Sequence, residues 1–292
     1  MSGAPDQKTL TLEAPAKLNL SLDILGRRPD GYHELRMVMQ TISLSDTVTV
    51  TLGTGGEVTV ETDCPELPGG PGNLAYRAAE TFFAHTRTAN PGTAILLKKR
   101  IPLQAGLAGG SADGAAVLRA LRTLLRPELE DAELEHMAEA VGSDVPFCVR
   151  GGTALAEGRG QRLTRLSPLP PCRIAVCKPD FGLSTPELFA RTDGRELRPR
   201  PDTDALRKAL ERGDTAGAGR CFCNVFEQVL TPEEREAVCA IESCMRRQGA
   251  LGAAMTGSGP TVFGVFAGED GAHRALEELR PRYAQSFLTS PV

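Results

Sequence analysis

The sequence predicts an α+β protein in two domains. Strands and helices come in blocks rather than in strict alternation, a strict period of two opens the chain, and the Pro-rich stretch Ser167-Pro168-Leu169-Pro170-Pro171 separates two blocks. We place the domains at 1–166 and 167–292. A chain of 292 residues, 41% hydrophobic and 24% charged, has the size and composition for two such globular units and not for a disordered or fibrous one.

The elements follow in order. From Leu10 to Ile24 every even position is apolar, which reads as a long half-buried strand or a strand pair bent near Pro15, with Lys17 and Asn19 on one face. Leu35 to Ser43, Thr47 to Leu52, Glu57 to Thr62 and Thr93 to Lys98 read as further strands. Gly53-Thr54-Gly55-Gly56 is read as the turn joining the second and third of these, so the first half opens as antiparallel sheet. Helices are expected at Asn73 to His85, Gly110 to Leu125 and about Asp131 to Val141, the last stopped by Gly142. A hairpin is expected around Glu157-Gly158-Arg159-Gly160.

Beyond the Pro-rich stretch, Arg173 to Cys177 reads as a strand, and helices start near Thr185, Asp204 and Thr231. Thr231-Pro232-Glu233-Glu234 is a capping box with Pro at the first helical position. The uncharged run from Gln248 to Gly268 has transmembrane length, but its glycines and Pro260 make it strand, glycine loop, strand. Asp270 is read as the cap of a final helix, and Ala284 to Leu288 as a closing strand.

A formal charge of −4 offers no basic field for a nucleic-acid backbone. No basic n-region and apolar run open the chain, so it reads as cytoplasmic, without a membrane partner. The eight cysteines show no CxxC or Cys/His spacing suited to zinc and read as reduced packing residues.

Five segments carry chemistry. The run Pro102-Leu103-Gln104-Ala105-Gly106-Leu107-Ala108-Gly109-Gly110-Ser111-Ala112 follows a strand and opens a helix of small residues. Its backbone N–H groups and the helix N-terminus converge where an anion is favoured, and phosphate is the natural occupant. Ser111 adds a hydroxyl for phosphate or Mg²⁺. The same run could instead be a tight turn with small residues chosen for packing. It contains neither GxxxxGK[ST] nor GxGxxG, and the chain has no His-x-Asp or HExxH.

Lys17 stands out because only six of the 33 basic residues are lysine, and this one lies in an apolar-alternating strand. It serves either as a point charge for phosphate or a hydroxyl, or as a solvated strand residue. Arg28-Pro29-Asp30-Gly31-Tyr32-His33 is a turn presenting an aromatic and an imidazole suited to a base, or merely to packing and solvent. Asp144, in Gly142-Ser143-Asp144-Val145-Pro146-Phe147, is a general base or an N-cap. Gly257-Ser258-Gly259 lets backbone approach a ligand, or makes a hairpin.

Together and in this order these segments resemble the GHMP kinases. The resemblance covers nearly the whole chain and is narrowed by Ala14-Pro15-Ala16-Lys17-Leu18-Asn19-Leu20, by the Asp30-Gly31-Tyr32-His33 turn and by the Asp144 segment. It implies a two-lobed α+β fold with an ATP-binding first domain, and ATP-dependent phosphorylation of a hydroxyl on a cytidine-diphosphate-linked methylerythritol in non-mevalonate isoprenoid biosynthesis. Residues 102–112 would bind ATP, with Mg²⁺ as cofactor. Asp144 would be the base and Lys17 would hold Asp144 and the nucleophile. Asn19 would contact substrate near its acceptor end, Tyr32 and His33 would hold the cytosine with Phe189 on its other face, and Gly257, Ser258 and Gly259 would close the phosphate end. The glycine run departs from the family pattern at Gln104, Ala105, Ala108 and Ala112. Another small-molecule GHMP kinase, or a non-catalytic nucleotide-binding module on the same fold, are the alternatives.

Overall fold

The computed structural model describes residues 8–292. The first seven residues, part of the opening segment in which no signal sequence is read, lie outside the described residues. The chain folds into two compact units, and neither is contiguous. Unit 1 takes the residues up to Ala16, Ser45–Ile101 and Ala108–Arg150; unit 2 takes Lys17–Leu44, Pro102–Leu107 and Gly151–Val292. The Pro-rich stretch therefore lies inside unit 2, because two strands are long enough to pass from one unit into the other.

Those strands are β1 (Thr9–Arg27) and β2 (His33–Leu52). Pro15 does not interrupt β1. In its first part Leu10 and Leu12 are half-buried between exposed Thr9, Thr11 and Glu13, as alternation requires. From Ala16 to Ile24 every residue is buried, so polar Lys17, Asn19, Ser21 and Asp23 are buried as well. The expected pair Leu35 to Ser43 and Thr47 to Leu52 is the single strand β2, whose two ends find different partners.

In unit 1, Thr47–Leu52 of β2 run antiparallel to β4 (Thr93–Lys98), and β3 (Val58–Thr62) runs parallel to β4 on its far side. The expected hairpin between β2 and β3 is thus corrected: β4 lies between them. The cause is α1 (Leu74–Thr86), which follows β3 in the chain and supplies the crossover that parallel pairing with β4 needs. The Asn73 side chain accepts from the Ala75 N–H and starts α1. Helices α2 (Gly109–Leu125), α3 (Asp131–Val141) and α4 (Val145–Arg150) complete the unit. The small residues of α2 let α1 approach closely: a Cβ on Gly114 would stand 3.2 Å from the Leu74 carbonyl oxygen. Helix α4 is not foreshadowed by any periodicity; its Val145, Pro146 and Phe147 are buried.

In unit 2, Leu35–Gln40 of β2 pair antiparallel with β5 (Thr153–Gly158), which turns back into β6 (Arg162–Arg165) as the expected hairpin. A second sheet, in the order β11-β7-β10-β9, is antiparallel throughout and comprises β7 (Arg173–Cys177), β9 (Gly252–Met255), β10 (Val262–Phe266) and β11 (Ser286–Thr289). The two-residue β8 (Cys223–Asn224) pairs parallel with Ser21 and Leu22 of β1. The helices are α5 (Thr185–Thr192), α6 (Thr203–Glu211), the unforeseen α7 (Thr215–Arg220), α8 (Pro232–Arg247) and α9 (Glu269–Leu279). Helix α8 starts with the expected capping box between Thr231 and Glu234, and it packs with α9 on the second sheet. The uncharged run 248–268 is the β9–β10 hairpin, and among the described residues no helix is long and apolar enough to cross a membrane. None of the eight cysteines is in a disulfide.

Candidate active site

The run 102–112 passes from unit 2 to unit 1 between Leu107 and Ala108, so its two halves are built by different means. The second half is the start of α2. Ala108 is its N-cap, in the left-handed conformation (φ 58°, ψ 33°), and gives no side-chain cap. Ala108 therefore offers the first N–H groups of the helix no side-chain acceptor, and N–H groups at a helix start suit an anion. Gln104 (φ 49°) is left-handed too. A Cβ in this region costs roughly 1–2 kcal/mol, so two of the positions where this chain departs from a glycine-rich pattern hold local strain.

The first half is packed backbone to backbone against the β9–β10 turn. A Cβ on Gly106 (φ +72°) would collide with the Thr256 carbonyl oxygen, and one on Gly257 would stand 2.6 Å from the Gly106 carbonyl oxygen. Gly106 and Gly257 are glycine because two loops meet there, whatever binds nearby. Both loops are also tied to β1: the Lys17 N–H donates to the Leu107 carbonyl at 3.1 Å, and the Asn19 N–H donates to Thr256 Oγ1 at 2.8 Å. Ser258 and Thr185 share a hydroxyl–hydroxyl hydrogen bond of 2.7 Å. Lys17 is 4% exposed, so it is no solvated strand lysine, and its Nζ donates to Asn19 Oδ1 at 2.6 Å.

Beneath the N-terminus of α2 lies a buried cluster of three charges. Lys99 Nζ pairs with Asp46 Oδ2 and Asp113 Oδ2, while Asp46 Oδ1 accepts from the N–H groups of Arg100 (2.6 Å) and Ile101 (2.8 Å). Burial pushes the Asp113 carboxyl up to about 7, against the pull of Lys99 and reinforced by Asp46. Burial also works against the Lys99 charge, but the two carboxylates outweigh it and raise its pKa. One proton and one ammonium between two carboxylates leave the cluster near neutrality.

Asp144 is half-buried and immediately precedes α4, where its carbonyl accepts from the Cys148 N–H at 3.1 Å. It belongs to unit 1 with Gly109, Gly110, Ser111 and Ala112, whereas Lys17 and Asn19 belong to unit 2.

The turn before β2 is a separate assembly within unit 2. Asp30 accepts from the Tyr32 N–H at 3.1 Å and pairs with Arg28, which also pairs with Glu34 at 2.6 Å. Tyr32 is 55% exposed, with the Arg159 guanidinium 4.8 Å from its ring centroid. The His33 ring stacks on Phe189, centroids 4.5 Å apart and planes 16° from parallel, and Phe189 meets Phe226 edge-on. His33 Nε2 lies 2.8 Å from Asp193 Oδ1.

Known proteins can be set beside this geometry. Models of the GHMP kinases N terminal domain and the GHMP kinases C terminal region match residues 73–152 and 206–285. A 4-diphosphocytidyl-2-C-methyl-D-erythritol kinase of Acetivibrio thermocellus is 41% identical over 285 residues, which span 98% of this chain and 100% of that one. The chain belongs to the GHMP kinases. A relative of the same name from Pelotomaculum thermopropionicum is 44% identical over 96% of this chain and 97% of its own. The crystal structure of a 4-(cytidine 5'-diphospho)-2C-methyl-D-erythritol kinase superposes with a TM-score of 0.80 at 35% identity, covering 97% of this chain and 99% of that one. A homoserine kinase from Cytophaga hutchinsonii shares the fold, with a TM-score of 0.76 at 19% identity over 100% and 97% of the two chains.

As a GHMP kinase the chain is a small-molecule kinase, with ATP as phosphate donor and a hydroxyl as acceptor. Sequence reasoning missed several residues that shape the site of this GHMP kinase. Asn224 Nδ2 donates to the carbonyls of Met255 (2.9 Å) and Gly257 (2.8 Å) and so fixes the β9–β10 turn. Thr256, Lys99, Asp46 and Asp193 escaped too, because their partners are distant in sequence. Asp113 alone had a local signal, an acid on the buried face of a helix of small residues.

Proposed function

We propose that this GHMP kinase transfers the γ-phosphoryl group of ATP to a hydroxyl of 4-diphosphocytidyl-2-C-methyl-D-erythritol, giving the 2-phosphate and ADP, in the non-mevalonate route to isoprenoid precursors. The observation that carries the reading is full-length identity above 40% to relatives of that name. The residues fit it. The uncapped start of α2 and the N–H groups of 102–112 receive the triphosphate. Asp144 accepts the proton of the acceptor hydroxyl as the new P–O bond forms, and Lys17 orders Asp144 and the nucleophile. The chemistry is positioning plus electrostatics, so the proton need leave only late in the transfer.

Asn19, held by Lys17 and Thr256, contacts the acceptor end. Tyr32 and His33 hold the cytosine; Phe189, stacked on His33, acts on the base through that ring. Gly257, Ser258 and Gly259 close the phosphate end. Among the described residues no group of three or more His, Cys, Asp and Glu side chains could hold a metal ion. Mg²⁺ would then be ligated by phosphate oxygens, water and the half-buried Ser111 hydroxyl, which suits a hard cation that keeps several waters. When bound it neutralises charge on the transferring group. We place the enzyme in the cytoplasm.

The test is ADP release with the CDP-linked acceptor, set beside homoserine and mevalonate, together with thermal protection by CDP. Turnover with homoserine or mevalonate and none with the CDP-linked compound would assign another kinase of the family. Nucleotide binding without turnover of any acceptor would leave a non-catalytic module.

A further inference from the structure

His33 is held on two sides. Phe189 covers a face of the ring, and Asp193, the residue that ends α5, meets Nε2 at 2.8 Å. The far carboxylate oxygen of Asp193 lies 3.6 Å from the Arg27 guanidinium. The hydrogen bond from His33, helped by the charge of Arg27, keeps the Asp193 carboxyl below the usual carboxylate range. An ionised carboxylate can only accept, so the bond requires the proton on Nε2. A neutral imidazole has one N–H, and its Nδ1 is then an acceptor. Among the described residues Nδ1 has no hydrogen-bond partner, nor is it one of the buried unpartnered atoms.

We propose that Asp193 is a specificity-determining positioning residue: it holds His33 in the tautomer whose Nδ1 accepts, so that the ring reads the exocyclic amino group of a cytosine and rejects a uracil. The inference rests on the cytidine reading of the turn proposed above. Cytosine presents an N4 amino donor where uracil presents a carbonyl acceptor. Facing the lone pair of Nδ1, the amino group gains a hydrogen bond, whereas the carbonyl leaves two acceptors opposed and unpaired. The discrimination thus depends on which nitrogen carries the proton, and Asp193 decides that without touching the ligand.

The experiment compares the wild-type enzyme with Asp193→Ala and Asp193→Asn. CDP and UDP are titrated calorimetrically, and the His33 tautomer is read from ¹⁵N imidazole shifts in the CDP complex. The wild-type ring is expected to carry its proton on Nε2. In Asp193→Ala the preference for CDP over UDP should fall by about 10-fold, the value of one hydrogen bond at the upper end of its usual range, with the KM for ATP unchanged. Asp193→Asn keeps the size of the side chain, but its amide can either donate to Nε2 or accept from it, so it no longer fixes the proton; it should show a smaller loss, with both tautomers seen. It serves also if the alanine variant folds poorly. A CDP/UDP ratio unchanged within two-fold in a folded variant overturns the inference, as does a proton on Nδ1 in the wild-type complex. If the wild-type enzyme does not bind CDP at all, the cytidine reading of the turn has failed, and the inference falls with it.

Discussion

Around Lys99 three charges share a site from which water is excluded, while around Arg28 four share the open surface. The side chains of Lys99, Asp46 and Asp113 are 6%, 0% and 2% exposed. Arg28, Asp30, Glu34 and Arg162 are 31%, 45%, 28% and 62% exposed. Both clusters flank segments that carry candidate site residues. In the first, removing Lys99 leaves buried carboxylate charge uncompensated; in the second, water replaces whatever is lost. The buried cluster should therefore report substitutions as stability, and the exposed turn should report them as ligand affinity.

The strongest test of that contrast is Lys99→Met, which leaves two carboxylates buried without their cation. Unfolding by denaturant should show a loss of about 3–5 kcal/mol; a loss below about 1 kcal/mol would place the cluster with the ordinary surface pairs. Asp144→Asn belongs to neither class. Its kcat should fall by roughly 10² or more, with melting temperature and substrate affinity little changed, and near-normal turnover would reduce Asp144 to the residue that precedes α4. On the exposed side, Tyr32→Ala should lose about 1–3 kcal/mol of CDP affinity, the value of base stacking on an aromatic ring, at constant melting temperature and constant ATP affinity. A fall in melting temperature instead would show that the turn is structural.

Acidity separates the two clusters further. The Asp113 carboxyl is raised to about 7 by burial, whereas in the exposed cluster desolvation is outweighed by the hydrogen bonds from the Tyr32 N–H and Arg28, which hold the Asp30 carboxyl below its usual range. A carboxyl whose folded pKa exceeds its unfolded one binds more protons when folded, so its contribution to stability is full in acid and is lost as pH rises through the folded value. Stability should decline as pH rises from about 4 to about 7, by roughly 4 kcal/mol at most from Asp113. Asp113→Asn should remove that part of the slope, and an unchanged pH profile in the variant would refute it. The smallest effect expected is a gain. Ala108→Gly relieves a left-handed Cβ and should add about 1 kcal/mol of stability; a loss would mean that the Ala108 methyl is held by packing.

The same contrast explains how far the sequence could be read. The alternation from Leu10 to Ile24, the capping box at Thr231 and the 102–112 run are local patterns, and each marks an element the structure contains. The break assumed between Ser43 and Thr47 is absent because Asp46, polar enough to look like a loop residue, is matched by Lys99 from 53 residues away. The glycine spacing suggested ligand approach at Gly106, yet the constraint there is the backbone of Thr256, which no local window contains. His33 was legible as a candidate from its turn, but the carboxylate that orients it follows α5, 160 residues later. Pairings across such distances follow from topology and not from local pattern.

The discontinuous make-up of the two units bears on how the protein is made. A ribosome delivers the chain from its N-terminus, and domains generally fold as units as they emerge. Here residues 102–107 belong to a unit whose largest piece begins at Gly151, and Gly106 rests on a turn that starts at Thr256. The glycine loop can take its final form only when nearly nine-tenths of the chain has been synthesised, so a nascent or prematurely terminated product cannot assemble this loop as it stands in the finished protein.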